Sequence, residues 1–307
     1  MKTRKRGAIM QIFDSFQDIA SAENNTVYVN PERSSIRNSK ITFKGKNNVL
    51  FVEDGAALES SAIVFGGDNC VVYLSNSSKE YRIAVDVYQN SAVFFGSNNY
   101  FNGIVHIIAS EGQNILIGNG GLFSFGIWIR TADPHLIYSA ETHKRINNSK
   151  SVFIGDHVWI GQNALVLKGC RIGSGSILGG GAVASNKLIP SNTSFAGNPA
   201  ALVSRGIFFD GKCVHNWTQA DTEKHAVMES DQWIYRSGKN TLCFEKIDAE
   251  LKQKSSTEEK LEFIKTQISQ NTDKNRFFVA DISVKSQAKR KKTKSCVKSV
   301  LRKIKSL

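Results

Sequence analysis

Residues 151–184 read SVFIGDHVWIGQNALVLKGCRIGSGSILGGGAVA, with a small aliphatic side chain at every sixth position. Ile154, Ile160, Val166, Ile172, Leu178 and Ala184 hold that register without a slip, and Gly155, Gly161, Gly173 and Gly179 follow four of them. Helices repeat at about 3.6 residues and strands at about two, so neither produces six. A six-residue unit is one short strand plus one tight corner. Repeated and stacked, such units form a parallel β-helix whose aliphatic residues point inward. The fold expected here is therefore all-β.

Looser repetition precedes this run. Asn48-Val49-Leu50-Phe51, Asn69-Cys70-Val71-Val72, Ser91-Ala92-Val93-Phe94-Phe95 and Asn114-Ile115-Leu116-Ile117 recur every 21 to 23 residues. Each is an apolar strand bounded by turn-forming residues. They read as earlier coils carrying a few inserted residues, with Phe43, Phe51, Phe65, Phe94 and Phe95 filling a wider interior. The pattern breaks over TADPHLIYSAETHKRINNSK, residues 131–150. Repeats on both sides imply a loop extruded from the helix, and a loop of this length in a rigid scaffold is commonly functional.

These breaks divide the chain into an N-terminal segment 1–21, a β-helix 22–205, a subdomain 206–250 and a partly helical tail 251–307. Helices are expected over Ala220–Met228 and Ser256–Ile268, the second opened by a capping box of Ser256 and Glu259. A strand is expected over Phe277–Val284. The net charge of +13 is unevenly placed: residues 251–307 carry 16 Lys and Arg against 5 Asp and Glu. The body is nearly neutral, which argues against nucleic acid and for a docking role of the tail. Five widely spaced cysteines without a CxxC read as free thiols of a reducing, cytoplasmic compartment. The apolar run Ala8–Phe13 is too short and too polar for a secretory leader, and no stretch is long enough to span a membrane.

Two residues stand out chemically. His135 lies in the extruded loop two residues after Asp133, where an imidazole can act as a general base and a carboxylate can orient it. An exposed loop histidine without a role fits the same spacing. Trp159 precedes the inward Ile160, so its indole points outward and needs a ligand or a neighbouring subunit.

The run Ile129–Ser139, with Arg145-Ile146-Asn147 and Ile154-Gly155-Asp156-His157-Val158-Trp159-Ile160-Gly161, resembles the left-handed β-helix acyltransferases. It is most similar to the bacterial polysialic-acid capsule O-acetyltransferases. The likeness covers about a third of the chain. It implies the left hand of the coil, an exception to the right-handed crossover rule, and acetyl-CoA as acetyl donor with no metal. It also implies a homotrimer and a glycan acceptor, a sialic-acid-containing surface polysaccharide. The loop histidine and the tryptophan of the HVW hexad form the family's catalytic pair, which maps onto His135 and Trp159. Donor-binding positions map onto Gly161, Gly179, Gly180 and Ala182, and onto Gly197, Asn198 and Pro199 of the AGNPA turn. The family's lysine after that turn is replaced by Ala201, so Lys187 or Arg205 is expected to meet the donor's phosphates.

A small-molecule acetyltransferase of the same fold shares all these features except the acceptor. A zinc lyase would need His135, His143 and His157 to converge. A non-catalytic scaffold would have no use for the AGNPA turn. For a capsule enzyme, the basic tail suggests peripheral association with the inner face of the cytoplasmic membrane or with a polysaccharide-assembly complex.

Overall fold

The computed structural model describes residues 10–281, which form a three-sided parallel β-helix closed at both ends. The first face runs from Lys40–Phe43 to Val183–Ala184 and the second from Thr26–Tyr28 to Leu188–Ile189. The third runs from Tyr100–Phe101 to Thr193–Ala196, continued backward by Ser35–Arg37 and Ala57–Glu59. On the first face Ile41, Ile63, Val85, Ile107, Ile129, Val166 and Ala184 pair in one continuous inward row. Successive members lie 22 residues apart up to Ile129, then 37 and then 18 apart. The early coils thus carry four residues more than three hexads, and the single long step contains the extruded loop. All six hexad residues, Ile154 to Ala184, are fully buried.

Asparagine builds the edge between the first and second faces in the early coils. Asn47, Asn69 and Asn90 adopt left-handed backbone conformations at that corner, which asparagine tolerates better than most residues. Their amides link coil to coil, Asn47 to Asn69 at 3.4 Å and Asn69 to Asn90 at 3.0 Å. Each of these corners takes an asparagine because it needs both the backbone freedom and the amide.

The ends are sealed. Gln11–Phe13 pairs antiparallel with Lys40–Phe43, and Phe16 and Ile19 plug the core behind it. At the other end Ala201–Arg205 folds back antiparallel on Thr193–Ala196. Solenoids need such caps because the last coil has no neighbour.

The second face carries an outward row of large apolar residues, Tyr28, Phe51, Tyr73, Phe94, Leu116 and Phe153, in register across six coils. The C-terminal extension covers most of that row. Helix α1 (Gln219–Lys224) stays exposed, whereas α2 (Phe244–Gln253) and α3 (Thr257–Phe263), with the π-helical turn Ile264–Ser269, lie on the solenoid. Phe244, Ile247, Leu251, Leu261, Ile264 and Ile268 form one core with Tyr73, Phe94, Leu116 and Phe153. Polar contacts fix the same join. The buried Lys260 ammonium donates to Asn90 O at 2.6 Å, and burial lowers its pKa. Ser151 and Asn114 meet Asp248.

Three expectations need adjustment. Phe43, Phe65 and Phe95 fill the interior as expected, but Phe51 and Phe94 stand outward on the second face, because they alternate with the inward Leu50, Val52, Val93 and Phe95. The Ser256 hydroxyl caps Glu259 N, but Glu259 reaches back to Ser255 rather than closing the box on Ser256. Residues 277–281 form no strand. Instead they run along the edge between the second and third faces, where Ser174 N donates to Phe277 O and Ser191 N to Val279 O. Gly173 makes room for this segment, since a Cβ there would stand 2.8 Å from that of Val279. The basic stretch 282–307 and its expected membrane or assembly role lie outside the described residues. No helix among the described residues is long and apolar enough to cross a membrane.

A buried ion pair locks the extension to the solenoid. Arg276, 1 % exposed, meets Asp156 through Nε at 2.9 Å and a terminal nitrogen at 2.8 Å. Its other terminal nitrogen donates to Ile268 O and Asn271 O, and Asp156 also accepts from Asn119 N. Replacing Arg276 by methionine strands the Asp156 carboxylate in the interior. Urea unfolding should then show a loss of about 3–5 kcal/mol, as for other broken buried pairs. A loss below about 1 kcal/mol would mean that water reaches the carboxylate.

Candidate active site

The extruded loop leaves the edge between the first and second faces. Lys150 N donates to Thr131 O across its neck, and the buried Thr131 hydroxyl accepts from Ser110 N at 2.8 Å. Within the loop Tyr138 bridges to Arg145, and Ile146 N donates to Ile137 O, giving a short hairpin. Arg145 clamps it to the coil below by a two-point contact with Glu111, at 2.8 and 2.9 Å. That contact and the Ser149 hydroxyl hold the Glu111 carboxyl down at about 2.

His135 is exposed on this loop. Asp133 does not orient it. The Asp133 carboxylate pairs with Lys168 and accepts from Asn147 Nδ2 at 3.0 Å, contacts that lower its pKa. Pro134 fixes the backbone between the two residues, and the carboxylate turns down to the coil while the imidazole faces out. The residue that places His135 is Asn147, which spacing alone did not single out. Its Nδ2 donates to His135 O at 2.7 Å, and its Oδ1 accepts from Ile137 N at 2.9 Å. One amide thus holds the chain on both sides of Leu136. The two partners through which it places the histidine are backbone atoms, which no spacing shows.

Trp159 stands outward on the third face, 37 % exposed, in a row with Tyr100, Leu122, Ile177 and Ser194. Phe209 comes over from the extension and meets its ring at 5.8 Å. Gly161, Gly179, Gly180, Gly197, Asn198 and Pro199 all fall on the adjoining edge between the third and first faces. A Cβ at Gly180 would have its nearest neighbour 3.4 Å away, and one at Gly181 would meet nothing. This edge offers bare backbone beside Trp159, which suits close approach of an extended, amide-bearing chain. Ala182 faces the prism interior and is fully buried, so its side chain is not available to a ligand. Lys187 lies on the opposite edge, where the loop emerges. Arg205 ends the terminal hairpin and is paired with Asp281 at 2.6 Å. The two candidate cations therefore do not converge.

The loop and Trp159 are not brought together within one chain. The loop's polar anchors, Ser110, Glu111, Lys168 and Asn186, all belong to the edge between the first and second faces. In a three-sided prism that edge is opposite the third face. The histidines do not converge either. His157 is buried, with Nε2 3.0 Å from Phe209 O, and its ring is packed between Phe209 and Trp233. Burial lowers its pKa. Among the described residues no three His, Cys, Asp or Glu side chains could hold a metal ion.

The family model for the bacterial transferase hexapeptide, six repeats, matches residues 151–186. That stretch carries the repeat of the bacterial hexapeptide transferases. A polysialic acid O-acetyltransferase of Neisseria meningitidis is 29 % identical over 137 residues, 44 % of this chain. The match spans 62 % of that curated relative's length. Two solved structures share the architecture. The polySia-specific acetyltransferase NeuO aligns with a TM-score of 0.56 at 27 % identity, over 66 % of this chain and 94 % of its own. The polysialic acid O-acetyltransferase OatWY aligns with a TM-score of 0.54 at 26 % identity, over 66 % of this chain and 95 % of its own. The coil is accordingly a left-handed β-helix.

Replacing Asn147 by alanine removes the bonds to His135 O and Ile137 N at once. Amide hydrogen exchange over residues 133–147 should speed up by the equivalent of about 1–3 kcal/mol of local stability. Protection in the strands should stay unchanged. Unaltered exchange in the loop would show that Arg145 and Lys168 suffice to hold it.

Proposed function

We propose that this hexapeptide-repeat transferase moves an acetyl group from acetyl-CoA to a hydroxyl of a sialic-acid-containing surface polysaccharide. The reading rests on two features carried by one prism, a clamped loop with an exposed histidine and an outward tryptophan beside a bare glycine edge. The similarity to polysialic acid O-acetyltransferases supports the acceptor class.

A sugar hydroxyl is too weak an acid to attack a thioester unaided and needs a base within hydrogen-bond reach. His135 takes the hydroxyl proton while the oxygen bonds to the thioester carbonyl carbon. The C–S bond then breaks, and the same imidazole returns its proton to the departing thiolate. The Trp159 indole N–H stabilises negative charge at that sulfur, as a fixed dipole aimed at developing charge does. The edge of Gly179, Gly180 and Gly197 carries the extended arm of the donor. No cysteine is needed as a nucleophile. Cys70 and Cys170 are buried, and burial pushes the Cys70 thiol up to about 12.

The site is shared between copies of the chain. Leu136, Ile137, Tyr138 and Ile146 are exposed on the loop, and Phe125 and Trp159 are exposed on or beside the third face. These surfaces sit on opposite sides of one prism, so they cover each other only between copies. Such a head-to-tail contact closes into a ring, and a trimer of three-sided prisms is the ring we infer.

Thiol release from acetyl-CoA should require polysialic acid and should fall by about 10²–10⁴-fold in His135→Ala. Release with free sugars but not polymer would move the enzyme to small acceptors. Full activity in the variant would remove His135 as the base.

The shared site has its own test. His135→Ala and Trp159→Ala chains, each inactive alone, should regain about a quarter of wild-type activity when co-expressed. Random assembly puts an intact loop beside an intact tryptophan at about one site in four. No recovery in proven mixed oligomers would place both residues of each site in one chain.

A further inference from the structure

We propose that the ring stack Phe209–His157–Trp233 is a positioning device for Trp159, with Phe209 as the residue through which it acts. The inference rests on the reading of Trp159 given above and goes beyond it.

Trp159 stands on an open face, and small backbone shifts there would swing a large indole. Phe209 is held where it can prevent this. Its ring lies flat on His157, with centroids 4.1 Å apart and planes within 6°. Trp233 lies equally flat on His157, at 3.6 Å and 8°. Two rings parallel to one imidazole at such distances must lie on its opposite sides, so His157 is filled on both faces. Its edge is also used, because Nε2 meets Phe209 O at 3.0 Å. A carbonyl only accepts, so Nε2 carries the proton in that contact.

The two segments that bring in these rings share one anchor. Asn192 Nδ2 donates to Ile207 O and to Trp233 O, each at 2.9 Å, while its Oδ1 accepts from Tyr235 N at 2.7 Å. Asp156, the residue before His157, carries the Arg276 ion pair. Three distant parts of the extension therefore converge on residues 156, 157 and 192, within two coils of Trp159. Covering His157 alone would not require an aromatic ring at 209. A flat ring both stacks on the imidazole and packs at a tilt of 49° against the indole.

The test uses the full chain with acetyl-CoA and polysialic acid. Phe209→Leu keeps an apolar side chain and removes the ring. It should lower kcat by about tenfold, the scale of a misplaced catalytic group, with KM for the polymer nearly unchanged. Phe209→Tyr should restore kcat. In a Trp159→Phe background the same Phe209→Leu change should have almost no further effect, because residues acting as one unit are not additive. An equal loss in both backgrounds would overturn the proposal.

A second readout does not depend on activity. In protein labelled with 5-fluorotryptophan, the Trp159 resonance is the one missing from Trp159→Phe. Phe209→Leu should shift or broaden it and leave that of Trp128 in place. An unmoved Trp159 resonance in the folded variant would also overturn the proposal. If Trp159→Phe keeps full kcat, the chemical role of Trp159 fails, and the fluorine spectrum alone decides whether Phe209 positions it.

Discussion

The solenoid depends on keeping the inward side chains of each face in register from coil to coil. Parallel strands paired this way leave no room for an extra residue within a face, since a slip of one turns every inward side chain outward. Surplus chain has to leave at an edge. The early coils shed theirs at corners built from left-handed asparagines. The later coils fit the hexad closely except at the step from Ile129 to Val166, where the surplus of one loop leaves together. That loop carries His135. The demand for core register therefore decides that the histidine stands on an edge, on a hairpin fixed at its neck and clamped by Arg145 and Asn147.

The same alternation that buries one side of each strand exposes the other. On the second face the outward row is aromatic, and leaving Phe51, Tyr73, Phe94 and Phe153 in water would make a large apolar patch. Helices α2 and α3 answer that demand, and the Arg276–Asp156 pair fixes where the extension turns back. An ion pair buried this deeply adds little net stability against an apolar alternative, because both charges lose their hydration. Its effect is on geometry: it fixes the extension against the coil that bears His157 and Trp159.

The hexads were legible in the sequence because neither a helix nor a plain strand repeats at six, and Ile154 to Ala184 are buried as that period requires. The outward aspect of Trp159 followed from the same count. The partners of the loop were not legible. Asp133 sits two residues from His135, yet its carboxylate belongs to Lys168, 35 residues away. Asn147 holds His135 through a backbone carbonyl, and backbone acceptors leave no trace in residue type. Residues 206–281 were the least readable part, because they follow the solenoid's surface and have no period of their own. Phe277 to Val279 has the composition of a strand, but its hydrogen bonds go to Ser174 and Ser191 at the corners of two coils. The AGNPA turn is readable as a motif, while the fate of its neighbour Arg205, drawn to Asp281, depends on the path that the extension takes over the solenoid.

A prism this regular cannot bend to bring an edge to its opposite face. In a hinged enzyme, closure assembles the site around the substrate. In the proposed enzyme the two halves lie on opposite sides of one prism and meet through a second copy, a contact to which the exposed Leu136, Ile137, Tyr138 and Ile146 of the loop would lend apolar area. Rigidity then becomes an advantage. In the proposed ring, the position of the histidine would depend on its clamp to the coil and that of the tryptophan on the ring stack behind it. Neither needs the acceptor to order it. In that proposal an open groove between rigid prisms would admit a polymer laid along it as readily as a chain end.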